Sequence, residues 1–125
     1  MRWLKIDRVL AIHKRQIAEH GGSDGVRDIG LLESALARPQ NIAAYEPEAD
    51  IARLAAAYGF GIAKNHPFID GNKRTALVAT RTFLLLNGFQ IAASQEEKYL
   101  TFLALADGSL SDDELAAWLR SRIVS

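Results

Sequence analysis

Cysteine is absent from this chain of 125 residues, proline occurs only three times, and net charge is zero, with 15 Lys+Arg against 15 Asp+Glu. Without cysteine there is no disulfide framework, no thiolate zinc site and no thiol nucleophile. Stability must come from a hydrophobic core, which a chain of this length can build as one domain. A protein that grips nucleic acid over a broad surface ordinarily carries a basic excess, so the charge balance argues against one. Any phosphate chemistry must therefore be local. No apolar run is long enough to span a bilayer, and the first seven residues, Met1 to Asp7, lack the apolar stretch of a secretory signal. Neither a Gly-rich loop nor a Walker sequence is present, and the chain is too short for a two-lobed protein kinase. The expectation is a single soluble domain over residues 1–125, cytoplasmic, with no membrane contact and no direct nucleic-acid binding.

What is present reads as helices joined by short turns. Ile6, Val9, Leu10, His13 and Ile17 recur on one helical face, and Gly21-Gly22 ends it. Asp28 is an N-cap for a second helix with Leu31, Leu32, Ala35 and Leu36 inward, and Pro39 is expected to stop it, leaving residues 39–49 as a loop or short extended flap. A third helix begins near Asp50, turns Ile51, Leu54, Ala55, Tyr58 and Ile62 to one side, and ends near Asn65, because Pro67 disfavours a helical His66. A fourth starts near Asn72 and runs to Asn87-Gly88. It is apolar nearly all round and so is expected to be the central, buried helix. Ser94 to Glu97 and Ser111 to Glu114 are capping boxes. The first opens a fifth helix carrying Leu100, Leu103 and Ala104, the second a sixth carrying Leu115, Trp118 and Leu119. Gly88 to Ala92 is briefly extended. The fold class is all-α: a compact bundle of about six helices around a buried central helix.

Between the third and fourth helices lies His66-Pro67-Phe68-Ile69-Asp70-Gly71-Asn72-Lys73-Arg74-Thr75. A loop feeding a helix N-terminus presents free N–H groups and the positive end of the macrodipole to an anion. Lys73 and Arg74 add two positive charges. Cations in a first turn oppose the dipole, so a bound anion explains them better than solvation does. Asp70 can hold a magnesium ion that bridges phosphate oxygens. His66 can take a proton from an attacking hydroxyl. Gly71 permits a tight loop and close approach by phosphate. His13, on an apolar face, is expected to be a core histidine with no functional role, and His20, Glu33 and Arg81 are given none. Trp3 and Trp118 read as packing or partner contact.

This ten-residue segment resembles the core motif of the Fic/Doc superfamily: His-x-Phe, two residues, Gly or Ala, Asn, Gly or Lys, then Arg. The flanking Arg27-Asp28-Ile29-Gly30-Leu31-Leu32-Glu33-Ser34-Ala35 and the chain length are similar to the Doc branch, whose members are toxins of toxin–antitoxin modules. The resemblance implies a compact helical fold and an ATP- and Mg²⁺-dependent transferase. Fic-branch enzymes move AMP to a protein hydroxyl and have glycine where this chain has Lys73. Doc-branch toxins have lysine there and move the γ-phosphate of ATP to a threonine of a translation factor, expected to be elongation factor Tu. Carried over by position, His66 is the general base and Asp70 the magnesium ligand. Asn72, Lys73 and Arg74 bind the nucleotide phosphates, and Phe68 anchors the loop.

The expected activity is thus that of a Doc-like serine/threonine protein kinase that arrests translation. Two rivals stay open at this point: a Fic-type AMP transferase, and a catalytically silent binding module. Many Fic proteins restrain themselves with a Ser/Thr-x-x-x-Glu-Gly/Asn helix. No glutamate here precedes glycine or asparagine, so inhibition is expected in trans, from a Phd-like antitoxin protein.

Overall fold

The protein, described over residues 1–125 by a computed structural model, is built of six helices and one small ribbon. In chain order these are α1 (Ile6–His20), α2 (Ile29–Tyr45), α3 (Ile51–Asn65), α4 (Asn72–Leu86), β1 (Gln90–Ile91), α5 (Gln95–Asp107), α6 (Asp112–Arg122) and β2 (Ile123–Val124). The strands pair antiparallel, Gln90 opposite Val124 and Ile91 opposite Ile123, and so tie the chain end to the turn after α4. β1 lies within the extended stretch expected from sequence; β2 carried no signal of its own. No helix is long and apolar enough to cross a membrane.

The helix starts follow local chemistry. Asp28 and Asp50 accept from the backbone N–H groups of Leu31 and Arg53, and both capping boxes form, at Ser94–Glu97 and Ser111–Glu114. Asp50 also receives two bonds from Arg120 of α6, and that guanidinium holds its carboxyl below the usual carboxylate range.

α2 does not stop at Pro39 but continues to Tyr45. Pro39 cannot donate to Ala35, and a proline inside a helix costs about 3 kcal/mol or more. Its ring, however, extends the buried stripe of Leu32, Ala35 and Leu36, which half-buried Ile42 and Ala43 carry on. Burial of that continuous face offsets the lost bond, at roughly 25 cal/mol per Å² of apolar surface. The expected flap over residues 39–49 shrinks to the short turn between α2 and α3.

The central helix is α3, not α4. Ala52, Leu54 to Gly59 and Gly61 to Ala63 are all buried, whereas α4 leaves Leu85 half exposed. α3 packs against α2, α4, α5 and α6. Its alanines and glycines make it thin enough for these neighbours to close in. A Cβ on Gly59 would lie 2.7 Å from Thr80 Oγ1 and 3.0 Å from Phe102; one on Gly61 would lie 3.2 Å from the Ala35 Cα. Bulky residues surround this thin rod: Leu32 from α2, Phe83 from α4, Phe102 from α5, Leu115 and Leu119 from α6. Tyr58 accepts from the Leu4 N–H, and burial pushes its phenol up to about 12. Trp3 stacks on Phe83 at 6.0 Å, a packing role.

α5 buries a different face from the one expected. Phe102 and Leu105 point inward, and Leu100 and Leu103 are exposed. Apolar residues surround this helix, so their spacing could not select a side.

Gly59→Ala is expected to destabilise the fold by about 1–3 kcal/mol through overpacking, although alanine is the better helix former by about 1 kcal/mol. Urea unfolding of the variant checks the sign.

Candidate functional site

Residues His66 to Gly71 bridge α3 and α4 between two left-handed residues. His66 has φ 48° and is the one non-glycine at positive φ; Gly71 has φ 77°. A left-handed histidine costs about 1–2 kcal/mol and persists only if its surroundings hold it. Arg27 does so: its Nε donates to the His66 carbonyl at 2.7 Å and its Nη2 to the Asn65 carbonyl at 2.8 Å. The guanidinium thereby satisfies carbonyls at the end of α3, where a cation also suits the helix dipole. The Arg27 and Asp28 N–H groups donate to the Pro67 carbonyl, the Ile69 N–H donates to the Gly25 carbonyl, and Val26 bridges Phe68. The α1–α2 connection thus runs antiparallel along the loop and supports it.

Phe68 is buried and pinned three ways. Its N–H donates to Asn72 Oδ1 and its carbonyl accepts from Asn72 Nδ2, each at 2.9 Å. Its ring stacks on His13 at 3.8 Å between centroids, with the planes 5° apart. His13 Nε2 in turn donates to the Asp70 carbonyl at 2.8 Å, and Nδ1 lies 3.9 Å from Asp24 Oδ1. The carbonyl can only accept, so Nε2 carries the proton. His13 is buried as expected, but it is not idle: it joins α1 to the loop at both Phe68 and Asp70.

Asp70 is exposed, with Oδ1 accepting from the Gly71 N–H at 2.8 Å and Oδ2 from the Ser23 N–H at 3.3 Å. A Cβ on Gly22 would lie 2.5 Å from Oδ2, and Gly22 has φ 112°. Glycine is required there for the carboxylate to sit where it does. No cluster of three His, Asp or Glu side chains forms, so the protein offers no metal cage of its own. One exposed carboxylate does fit a magnesium ion shared with phosphate oxygens and water.

All six residues singled out from sequence, His66, Asp70, Gly71, Asn72, Lys73 and Arg74, line one open cavity of about 660 Å³. That volume is in the range of small-molecule sites, roughly 300–1,000 Å³. Its floor is the start of α4, which no side chain caps. The N–H groups of Asn72, Lys73 and Arg74 therefore have no protein acceptor. Both side-chain polar groups of Asn72 are engaged by Phe68, so what it offers an anion is its backbone N–H. Lys73 and Arg74 are half-buried and form no ion pair. Both lie against the ring of Tyr99 on α5. The arrangement can bind an anion, place a divalent cation beside it and hold an imidazole within the same cavity.

Sequence reading missed the roles of Arg27, His13, Gly22 and Tyr99. Arg27 stood in a segment already noted, but its partner is 38 and 39 residues away along the chain. Gly22→Ala is expected to strain the backbone by about 1–3 kcal/mol and to displace the Asp70 carboxylate, measured as a shift of its ¹³C carboxyl resonance in a variant that still folds.

Comparison with known proteins identifies the family. The Fic/DOC family matches residues 3–84. The chain is 37% identical over 120 residues to "Protein kinase doc" of Escherichia phage P1, covering 96% of this chain and 94% of that protein. It is 43% identical over 107 residues to "Toxin Doc" of Mycolicibacterium smegmatis, covering 79% of this chain and 78% of the relative. The span of the family match and the coverage of both relatives lead to one conclusion: this chain belongs to the Fic/Doc family.

Proposed function

We propose that the protein is the toxin of a toxin–antitoxin module. It acts as a protein kinase that moves the γ-phosphate of ATP to a serine or threonine hydroxyl of a translation factor, expected to be elongation factor Tu. The observation that carries this reading is the placement of Lys73. It stands in the uncapped first turn of α4, in the wall of the cavity that holds His66 and Asp70. The similarity to a phage protein named as a kinase and a mycobacterial one named as a toxin supports it.

Phosphoryl transfer is mostly positioning and charge neutralisation. The α4 N–H groups, Lys73 and Arg74 bind and orient the phosphates. Gly71 has no side chain to hold them off. The target hydroxyl oxygen forms a bond to the γ-phosphorus as the bond to the bridging oxygen breaks and ADP departs. His66 accepts the hydroxyl proton. Asp70 is the residue that would hold Mg²⁺, which when bound neutralises phosphate charge. Kinase is favoured over AMP transfer because the Lys73 side chain occupies space that glycine leaves open in the Fic branch, and it places a point charge there. The triphosphate is then presented γ-end first. Control comes in trans, from a Phd-like antitoxin segment, since the chain has no glutamate before glycine or asparagine to serve as an internal brake.

Incubation with a translation extract, magnesium and ATP labelled at either the γ or the α position tests the assignment. Protein label is expected from the γ position only, with ADP released; label from the α position with pyrophosphate released would replace the kinase by an AMP transferase. His66→Ala is expected to lower transfer by about 10²- to 10⁴-fold while calorimetry shows Mg-ATP affinity nearly unchanged. A matching loss of affinity would remove His66 from the role of base.

A further inference from the structure

Two cations in the first turn of α4 stand against the helix dipole, and no carboxylate pairs with either. What holds them is an uncharged ring from another helix. Lys73 Nζ donates to Tyr99 Oη at 3.2 Å and lies 4.9 Å from the ring centroid. Arg74 Cζ lies 5.8 Å from the same centroid. Tyr99 is on α5, 37% exposed, and beyond residue 84, where the match to the family ends.

We propose that Tyr99 is a positioning residue for the phosphate-binding pair, a neutral tether that fixes Lys73 and Arg74 without consuming their charge. The proposal rests on the reading of the cavity as a phosphate site. A lysine ammonium sits on a flexible four-carbon stem, and ordering it opposes binding unless the free protein has ordered it already. An aspartate or glutamate in place of Tyr99 would also hold it. That carboxylate would neutralise the ammonium and compete with phosphate for it. The aromatic ring attracts a cation through its quadrupole, and the phenol oxygen takes only one of the three ammonium protons. Two donors and the full charge stay available for phosphate oxygens. The same ring lies against Arg74, so one side chain from α5 touches both cations of the first α4 turn, at the edge of the cavity that holds His66 and Asp70. The kinase reading depends on where Lys73 sits, and Tyr99 decides that position.

Two measurements test this. In the proton NMR spectrum of the wild-type protein, the Lys73 Cε protons are expected upfield of their usual position because of the Tyr99 ring current, and Tyr99→Leu is expected to return them. Unshifted Lys73 resonances in the wild type would overturn the tether without reference to any ligand. Calorimetry with Mg-ATP, and separately with tripolyphosphate, supplies the second measurement. Tyr99→Leu is expected to weaken both by about two- to fivefold. Tyr99→Phe, which keeps the ring, is expected to lose less. In a Lys73→Met background the effect of Tyr99→Leu is expected to shrink. Equal effects in both backgrounds would overturn the coupling while leaving the phosphate site standing. Failure of the wild type to bind tripolyphosphate at all would overturn the phosphate reading and this proposal together.

Discussion

Phe68 is the point on which the site depends. Its ring is buried under His13, and both polar groups of its backbone are bound by the side chain of Asn72. A loop of this length has many conformations in water, and ordering each residue costs about 1–2 kcal/mol. Here one aromatic anchor and one amide side chain remove most of that freedom. Everything that faces the cavity inherits its position from this pin. The Asp70 carbonyl is held by His13, the Asp70 carboxylate is set by Gly71 and Ser23, and the first turn of α4 begins where Asn72 closes back on Phe68. The N-terminus of α4 stays uncapped because its N-cap is Gly71, which has no side chain, and the side chain of Asn72 is used on the loop.

The arrangement of charge has the same economy. Five of the fifteen lysines and arginines form ion pairs, and the two in the first turn of α4 are not among them. Arg120 is matched with Asp50, Arg122 with Glu97, and Arg38 and Arg53 with Asp112. Lys73 and Arg74 lie beside a tyrosine rather than an acid. Surface ion pairs of this kind contribute little stability, about 0–1 kcal/mol each.

The core explains why the site can be so small. α3, rich in alanine and glycine at its close contacts, is wrapped by bulky residues from four helices, and its end delivers His66 directly into the loop. Because α3 is enclosed, its C-terminus cannot drift, and Arg27 has only to satisfy the last carbonyls and hold the left-handed turn.

The sequence by itself determined the helix starts, the ends of α1, α3 and α4, and six of the fifteen residues that line the cavity. These depend on neighbours a few positions away: a capping side chain, a proline two residues past a helix end, a glycine at a turn. Side-chain chemistry and spacing are sufficient for such interactions. Only the tertiary structure decided that α2 runs through Pro39, that α3 rather than α4 is central, and which side of α5 turns inward. In each case burial against distant elements outweighed a local preference or settled a pattern with no preferred face. The same holds for His13, Arg27, Gly22 and Tyr99, whose partners in the site lie 26 to 57 residues away along the chain. A residue whose role is to hold another in place carries no motif, because the contact that defines the role exists only after the chain has folded.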